Sequence, residues 1–368
     1  MYKIAFIKFG GMANGGTEKV LQTIAANLPQ DQFQVDYFYC DAAPYIGSDF
    51  KHSDTDPIRL KFMEDSGVNL IKFNTQFKDV TTPLHNWVGT NFWEVFKEED
   101  YDLIQTGRSG HPEYPFCYIH NTPIIDSIHL AGMAERKNNV FKTILVGKKQ
   151  RELWIKAGGI AEKSVVIPPP VEIPSINKLS NEFSSLRKDG LFNFGMHQRP
   201  DEGIYSPILL DAYSLIENQS TQMLILGGAQ KYRQQAAKLN LKNIKFFDAT
   251  GDIRRIHEFL SCLNVYTHAR KDGEQCSSAI IEAMSHGLPF VSHEAPSMGH
   301  IDQIGNAGEV VKTHDDYATL MKKMHHDNDY YKECSANSID QYKTSYSLPS
   351  IINNYVKIYN EALGNESI

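Results

Sequence analysis

The chain has 368 residues, of which 41% are hydrophobic and 11% aromatic, so it can form about two domains with sizeable cores. Its formal net charge of −7 argues against a nucleic-acid partner, because phosphate binding needs a concentrated basic surface. No apolar run approaches the roughly 20 residues that span a membrane, so the sequence predicts no transmembrane helix.

The cysteine pattern and the first residues of the chain bear on the cellular compartment in which the protein works. Five cysteines are an odd number and lie far apart, a pattern typical of reduced thiols rather than of a disulfide framework. The chain begins with a strand-like segment and not with a charged leader followed by a cleavage site. We therefore expect a cytoplasmic protein.

Strand-like and helix-like segments alternate through the first half. Short apolar runs predict buried strands, and amphipathic spacing predicts helices over residues 17–28 and 87–96. The predicted strands cover residues 4–7, 33–37, 102–104, 124–128, 143–146 and 165–167. Such alternation favours a doubly wound parallel sheet of the α/β class.

A glycine-rich loop separates the first predicted strand from the first helix. Gly15, Gly16 and Thr17 stand where a backbone can approach a ligand closely, although a simple tight turn would have the same composition. The loop lacks the G-x-G-x-x-G spacing of dinucleotide-binding folds, and Asp41 is the one hint of a ribose-binding acid nearby. A nicotinamide-dependent oxidoreductase is therefore a weaker alternative.

His129 directly follows a predicted strand. The carboxyl ends of strands in open α/β sheets border the ligand crevice, so this imidazole could donate to a substrate hydroxyl or phosphate oxygen. A histidine that is hydrogen-bonded in the interior, with no catalytic part, is an equal alternative. His111 and His120 are nearby candidates with less support.

A proline-rich exit and a polar stretch separate the two halves. We predict a first domain over residues 1–171, a linker over 172–190, a second domain over 191–346 and a terminal helix over 347–364. The second domain again alternates, because strand patterns at residues 191–194, 223–228, 244–247 and 263–266 enclose helical patterns such as 209–215.

The segment around Glu274 and Glu282 reads as a loop, a short helix, a glycine stop and a buried strand. Ser277 or Ser278 suits the helix N-cap, and Gly287 suits the position just past the helix end. Glu282 shares a helical face with Ser278, whereas Glu274 precedes the helix, where free N–H groups attract an anion. An anion-binding site flanked by two carboxylates that accept hydrogen bonds from hydroxyls suits a phosphorylated sugar.

This segment resembles the signature of retaining glycosyltransferases of the GT-B fold, family 4: a Glu, seven residues, a second Glu, then Ala-Met-x-x-Gly-x-Pro and an apolar strand. The resemblance implies two doubly wound Rossmann-like domains facing across a cleft, with the terminal helix crossing back onto the first. It assigns Glu282 to the ribose hydroxyls of a nucleotide-sugar donor and Glu274 to a hydroxyl of the donor sugar. Gln275, Cys276 and Ser277 replace the family's usual Gly-Phe-Gly, which keeps the backbone amides and changes the pocket floor.

The first half contributes to the implied site as well. By resemblance, Gly15, Gly16 and Thr17 match a loop that borders the sugar and the acceptor. His129 matches a histidine that the family often places near the transferred sugar. The resemblance therefore implies that the first domain supplies the acceptor side.

The loop after residue 195 departs from the family pattern. Met196 and Glu202 occupy the positions of an Arg and a Lys that hold the donor diphosphate in the family. Arg199 is the nearest substitute, because a guanidinium grips phosphate oxygens with two donors. His197 could add a donor, and Arg270 is a secondary candidate. A solvated surface charge is the alternative for Arg199.

The resemblance implies transfer of a sugar from a UDP- or GDP-sugar to a hydroxyl of a glycan, glycolipid or protein acceptor. It further implies retention of anomeric configuration and a role in glycan or glycoconjugate biosynthesis. No metal and no cofactor are expected, because cations and amides neutralise the leaving diphosphate in this family. A non-catalytic nucleotide-sugar-binding protein is the alternative that the altered loop raises.

Three further patterns favour ordinary surface structure. Asp54-Thr55-Asp56 resembles the metal-binding Asp-x-Asp of the other major glycosyltransferase fold, but its surroundings favour a solvated loop. Residues 325–329, rich in His and Asp, read as an exposed turn rather than a metal site. The basic residues between 148 and 156, around Trp154, predict a solvated helix face, with weak peripheral contact to an anionic membrane as the alternative.

Overall fold

The computed structural model describes residues 1–8, 12–13, 16–40, 55–77, 87–108, 115–129, 140–186 and 190–365. The chain divides into two units, Met1–Pro170 with Ile351–Ile368, and Val171–Ser350. Residues 172–190, predicted as a linker, are counted with the second unit, because Phe183 and Leu186 are buried in its hydrophobic core.

The first unit is built on a parallel sheet of seven strands in the order β3-β2-β1-β6-β7-β8-β9, beside a short antiparallel pair, β4 and β5. Its strands are β1 Tyr2–Lys8, β2 Phe33–Cys40, β3 Asn69–Phe73, β4 Gln76–Phe77, β5 Trp87–Val88, β6 Leu103–Arg108, β7 Ile124–Ile128, β8 Val140–Leu145 and β9 Ser164–Val166. Ile4 lies opposite Val35 on β2 and Leu103 on β6. The apolar run of β1 is buried along its length, as expected for a central parallel strand that is covered on both faces.

Among the residues that the structure describes, four helices and three short 3-10 turns connect these strands. The helices are α1 Gly16–Asn27, α2 Pro57–Asp65, α3 Phe92–Val95 and α4 Lys148–Lys156, and the 3-10 turns are Glu98–Asp100, Phe116–Tyr118 and Ala161–Lys163. The predicted helix over residues 87–96 is wrong at its start, since Trp87–Val88 is a strand and only Phe92–Val95 is helical. Its apolar spacing reflects Phe92 and Phe96, which pack with Phe38 in the core of this unit.

The second unit contains a parallel sheet of six strands in the order β12-β11-β10-β13-β15-β17, and a separate parallel pair, β14 and β16. Its strands are β10 Phe192–Gln198, β11 Thr221–Gly227, β12 Ile244–Phe247, β13 Val265–Thr267, β14 Gly273–Glu274, β15 Phe290–His293, β16 Ser297–Met298 and β17 Gly308–Val311. The core centres on β10 and β11, where Phe194, Met223 and Ile225 are fully buried.

Helices cover this sheet as well. They are α5 Asn181–Ser184, α6 Ile208–Ser214, α7 Gln230–Lys238, α8 Ile253–Leu260, α9 Ser278–Ser285, α10 Gly299–Ile304, α11 His314–His326 and α12 Asn328–Gln341. Glu202–Ile204 and Gly305–Ala307 are 3-10 turns, and Tyr342–Tyr346 is a π-helix. The strands and helices that the apolar patterns predict between residues 191 and 291 are confirmed, with shifts of a few residues at their ends.

The last helix, α13 Leu348–Ala362, returns to the first unit. It buries Ile351, Ile352, Tyr355 and Tyr359, which lie on one helical face. The Tyr359 hydroxyl donates to Gln105 Oε1 on β6 at 2.8 Å, and the ring of Tyr359 meets that of Phe33 edge-on. Within the described residues, no helix has the length and apolar character needed to cross a bilayer.

Both main sheets have the strand order of doubly wound folds, in which the first and fourth strands are neighbours. This neighbouring pair is β1 and β6 in the first unit, and β10 and β13 in the second. The chain leaves the two strands of such a pair in opposite directions, which opens a crevice at their carboxyl ends. We call this crevice the switch point of each unit. Side chains at the two switch points are candidates for binding a ligand.

Candidate functional site

The switch point of the second unit is lined by a histidine and a tyrosine. His197 lies near the carboxyl end of β10, and Tyr266 lies on the neighbouring β13. The buried Tyr266 hydroxyl donates to the His197 carbonyl at 3.1 Å and lies 3.4 Å from His197 Nδ1. These contacts fix the His197 ring at the end of its strand.

Helix α9 presents Glu282 to this histidine. His197 Nε2 lies 2.8 Å from Glu282 Oε2, and both side chains are largely withdrawn from solvent. Because a carboxylate only accepts hydrogen bonds, His197 donates from Nε2. Two residues that are 85 positions apart therefore form one charge-assisted contact at the carboxyl edge of the sheet.

The ends of α9 follow from the sequence, with one difference. Gly287, at φ +65°, directly follows the last residue of the helix cap and permits the left-handed turn that ends α9, as predicted. Ser277 occupies the N-cap with extended backbone, but its hydroxyl makes no hydrogen bond to the helix. Its N–H instead donates to Gln303 Oε1 at 2.6 Å, so a neighbouring helix holds the start of α9.

Glu274 is placed by the short pair β14 and β16. Gly273 adopts φ +67°, and a Cβ there would collide with the Ser297 carbonyl, so only glycine permits this approach of the two backbones. The approach sets Glu274 opposite Met298 and holds its carboxylate close to the carboxyl edge of the main sheet.

Two nitrogen-bearing side chains lie beside the Glu274 carboxylate. His268 Nε2 lies 3.5 Å and an Arg270 guanidinium nitrogen 3.6 Å from Glu274 Oε1. Burial raises the pKa of Glu274, but the hydrogen bond and charge of His268, the charge of Arg270 and a hydrogen bond from Ser277 outweigh it, so the pKa lies below its usual value. The carboxylate is therefore ionised at neutral pH and can accept hydrogen bonds from a hydroxyl.

The residues between Glu274 and α9 form a buried polar floor. Gln275 Nε2 donates to Ser297 Oγ at 2.8 Å, while its Oε1 is buried with no hydrogen-bond partner. Burial raises the pKa of the Cys276 thiol, which accepts from Gln303 Nε2 at 3.1 Å. An unreactive thiol and a free amide oxygen suit binding rather than covalent chemistry.

The loop after β10 shows why the expected cations are missing. Met196 is buried in the core, and Glu202 Oε1 accepts the N–H of Gln230 at the start of α7 at 2.6 Å. Arg199 is 65% exposed and pairs with Asp201 at 2.9 Å. Met196 and Glu202 therefore serve the core and the start of α7 at the two positions where the family has cations. Arg199 is the cation that remains in this loop.

Arg199 borders a cavity of about 430 Å³ at the carboxyl ends of β10 and β11. Its other lining residues include His197, Gln198, Leu226 and Thr250. Arg270, the secondary candidate, is 21% exposed and its guanidinium bonds Asp272 at 2.7 Å as well as lying near Glu274. The structure thus gathers Glu282, Glu274 and their partners at one edge of the second unit.

The switch point of the first unit carries a buried ion pair. Lys8, at the end of β1, has 2% of its side chain exposed and lies 3.3 Å from Glu18 Oε1 on α1. Thr17 Oγ1 donates to Glu18 Oε2 at 2.9 Å. Burial raises the pKa of Glu18, but the charge of Lys8 and the Thr17 hydrogen bond reverse that effect and hold the pKa below its usual value.

His129 follows β7 in the same unit. Burial, aided by the charge of Lys8 and opposed by that of Glu18, lowers the pKa of His129 to about 4, so the ring is neutral at pH 7. Its Nε2 is buried with no hydrogen-bond partner. Gly16 and Thr17 open α1, whereas Gly15 lies outside the described residues.

The residues that the sequence patterns did not single out are Lys8, Glu18, Tyr266 and His268. Lys8 could have been noticed as a candidate, because it is a charged residue at the end of an otherwise apolar strand. A histidine one residue after β13 was the same kind of signal for His268. Position at the carboxyl end of a central strand is therefore as informative as the motif itself.

The weaker patterns resolve as ordinary structure. Asp56 caps α2 by accepting from the N–H groups of Ile58 and Arg59, and Asp54 lies outside the described residues. His325 and His326 end α11, and no group of three metal-ligating side chains occurs in the part of the chain that the structure describes. The basic helix α4 forms as predicted, and Trp154 is buried rather than exposed.

Comparison with known proteins agrees with this fold. The sequence model of the family described as glycosyl transferases group 1 matches residues 205–341, which include both acids. A glycosyltransferase from Rickettsia africae has a similar structure, with 16% identity, 99% of each chain covered and a TM-score of 0.72. HepE from Anabaena in complex with UDP is 18% identical, covering 98% of this chain and 100% of its own, with a TM-score of 0.71.

The lipopolysaccharide outer core galactosyltransferase WaaB, in its apo form, is 14% identical, with 98% of this chain and 99% of its own covered and a TM-score of 0.65. No curated protein matches by sequence. The chain therefore has the GT-B fold with two Rossmann-like domains, and residues 205–341 of its second unit carry the sequence pattern of group 1 glycosyltransferases.

Proposed function

We propose that the protein is a retaining glycosyltransferase that moves a sugar from a UDP- or GDP-sugar to an acceptor hydroxyl. The observation that carries the proposal is the placement of Glu274 and Glu282 at the carboxyl edge of the second unit, within the segment that matches the family. His197 hydrogen-bonds Glu282 and His268 lies beside Glu274, and both carboxylates keep oxygen lone pairs available for hydroxyl groups.

Glu282 is the ribose-binding group in this proposal. Its Oε2 is engaged by His197, so Oε1 accepts hydrogen bonds from the ribose hydroxyls. Gln198 and Thr250 line the adjacent cavity, whose apolar wall includes Leu226. A site of this kind combines an apolar surface for a base with a carboxylate for the ribose.

Glu274 binds a hydroxyl of the transferred sugar. Its ionised carboxylate accepts a hydrogen bond from a sugar hydroxyl, and the buried Gln275 Oε1 beside it, which has no hydrogen-bond partner, can accept another. The first N–H groups of α9 and the guanidinium of Arg199 neutralise the leaving diphosphate. Arg270 is the alternative cation, although Asp272 and Glu274 already compete for it.

The first unit supplies the acceptor side. The neutral His129, with its unpartnered Nε2, donates to a hydroxyl, and Gly16 and Thr17 border the acceptor. In the reaction, the bond between the anomeric carbon and the diphosphate oxygen breaks, and the acceptor oxygen bonds to that carbon. The acceptor proton passes to the leaving phosphate oxygen, so no side-chain base and no metal ion are required.

The acceptor is a glycan, glycolipid or protein, and the reaction serves glycan or glycoconjugate biosynthesis. None of the five cysteines forms a disulfide, which supports a cytoplasmic site of action. The basic helix α4 supplies a weak peripheral membrane contact if the acceptor is a lipid, although its buried tryptophan contributes nothing to such a contact.

A nucleotide-sugar-binding protein without catalysis is the second candidate. It is favoured by one observation, the loss of the family's diphosphate cations at the buried Met196 and at Glu202, which caps α7. Without sufficient cationic stabilisation of the leaving group, a bound donor would not react.

A panel of UDP- and GDP-sugars, assayed with and without a chelator, separates the candidates. Slow release of nucleoside diphosphate that resists the chelator, faster with candidate acceptors, supports the transferase, and product anomer analysis tests retention. Tight donor binding without turnover supports the binding protein. Binding of a nicotinamide cofactor without affinity for any nucleotide sugar would overturn both.

A further inference from the structure

The two acids of the candidate site share an arrangement that the spacing of the sequence does not show. Each carboxylate is approached by a histidine that stands at the carboxyl end of one of the two switch-point strands. His197 comes from β10 and contacts Glu282 at 2.8 Å, and His268 follows β13 and lies 3.5 Å from Glu274. The two histidines are thus supplied by neighbouring strands to two different acids.

The contacts behind His197 restrict its ring. Tyr266 donates to the carbonyl of His197 and lies against its Nδ1, and the two rings meet nearly edge-on at a centroid distance of 5.7 Å. With Nε2 donating to Glu282, the ring has little capacity left for a phosphate or hydroxyl of a ligand. His197 is therefore better suited to hold Glu282 than to bind the donor itself.

The contacts behind His268 have the same effect. Its Nδ1 lies 2.9 Å from the buried Ser292 Oγ, and its ring lies against that of His300 at a centroid distance of 4.9 Å, with the two planes tilted by 35°. His300 in turn lies 3.0 Å, through Nε2, from the His293 carbonyl. Ser292 and His300 thus support His268 from behind, and its free Nε2 faces Glu274.

We propose that His197 and His268 are positioning residues, which fix the carboxylates of Glu282 and Glu274 for the ribose and for the transferred sugar. The proposal rests on the proposed function. His197 hydrogen-bonds one oxygen of Glu282, and His268 Nε2 lies 3.5 Å from one oxygen of Glu274, so the other oxygen of each acid faces away from its histidine and is left for the ligand. His197 therefore controls nucleotide affinity through Glu282, and His268 controls turnover through Glu274.

The test compares His197→Leu and His268→Leu with the conservative His197→Gln and His268→Gln, which keep an N–H donor near the Nε2 position. Titration calorimetry with UDP and with GDP gives nucleotide affinity, and kcat is measured with the nucleotide sugar that the wild-type protein uses. His326→Leu is the matched control, because His326 is exposed at the end of α11.

We expect His197→Leu to weaken nucleotide binding by about tenfold or more, the size of one lost charge-assisted contact, and His197→Gln to recover most of it. We expect His268→Leu to leave nucleotide affinity within about threefold and to lower kcat by at least about tenfold, with recovery in His268→Gln. The control should match the wild type in both measurements.

A double-mutant cycle distinguishes positioning from a general effect on the fold. If His197 acts through Glu282, His197→Leu causes no further loss of affinity in a Glu282→Gln background. Additive losses, or single variants with unchanged affinity and kcat, would overturn the inference while the proposed function stands. Wild-type protein that binds neither nucleotide would overturn both.

Discussion

The two units have the same strand order around their switch points but place different chemistry there. In the first unit, Lys8 and Glu18 form a buried ion pair in which each charge satisfies the other. In the second unit, Glu274 and Glu282 meet histidines that leave part of each carboxylate available. The same edge of the sheet therefore holds an acid in both units, and the partners of each acid determine how much of its carboxylate stays available to a ligand.

The largest effect should follow from Glu274→Gln. This change keeps the size of the side chain and removes the charge that the second unit holds toward the sugar, so kcat should fall about a hundredfold to a thousandfold. Steady-state kinetics with the preferred donor measures the loss. Glu309→Gln, in an exposed acid at the start of β17, is the control and should keep full activity.

Lys8→Met should destabilise the protein by about 2–3 kcal/mol, because it leaves Glu18 partly buried without its cation. Chemical unfolding of the whole chain measures this change. The double variant Lys8→Met with Glu18→Gln should recover most of the loss, since no unpaired charge remains. Equal stabilities of the single variant and the wild type would show that the pair is not a structural device.

His300→Gln should reduce the sensitivity of the second unit to acid. Burial first, and then the charge of His268, lower the pKa of His300 to about 4, so the unfolded chain takes up this proton before the folded chain does. The free energy of unfolding therefore falls as pH drops from about 6.5 toward 4, and this residue accounts for about 2 kcal/mol by pH 5.

Unfolding of the wild type and of His300→Gln at pH 7.5 and pH 5 checks this contribution. The variant should lose about 2 kcal/mol less than the wild type between the two conditions. His129 in the first unit, whose pKa is also lowered to about 4, predicts a loss of similar size there. Identical pH dependence in wild type and variant would contradict the assignment.

Arg199→Ala should have the smallest effect, a loss of kcat of about tenfold or less, because an exposed guanidinium must leave Asp201 before it meets a phosphate. The loss should shrink as salt concentration rises, since exposed charges are screened. Full activity in this variant, together with a large loss in Arg270→Ala, would assign the diphosphate to Arg270.

Much of the architecture could be predicted from the sequence because it depends on local patterns. The apolar runs of β1, β10 and β11 and the stop at Gly287 mark their elements without help from distant residues. The prediction of a helix over residues 87–96 was wrong because it also relied on a local pattern. Apolar residues that pack into a shared core happen to have helical spacing there, although only part of the segment is helical.

The partners of the site could not be predicted, because they come from distant parts of the chain. The contact of His197 with Glu282 joins residues 85 positions apart, and that of Ser277 with Gln303 depends on a different helix. Sequence spacing placed Glu282 on the same helical face as Ser278, but only the fold shows which side chain Glu282 meets. The exposure of Arg199 is likewise a property of its loop.

The most direct test is the affinity of wild-type, Glu282→Gln and Glu309→Gln proteins for UDP and GDP, measured by titration calorimetry. If the switch point of the second unit holds the nucleotide, one of the two nucleotides binds the wild type, and Glu282→Gln weakens that binding by about tenfold to thirtyfold. Glu309→Gln should leave it unchanged. Equal affinities in all three proteins would place the nucleotide elsewhere and contradict the account.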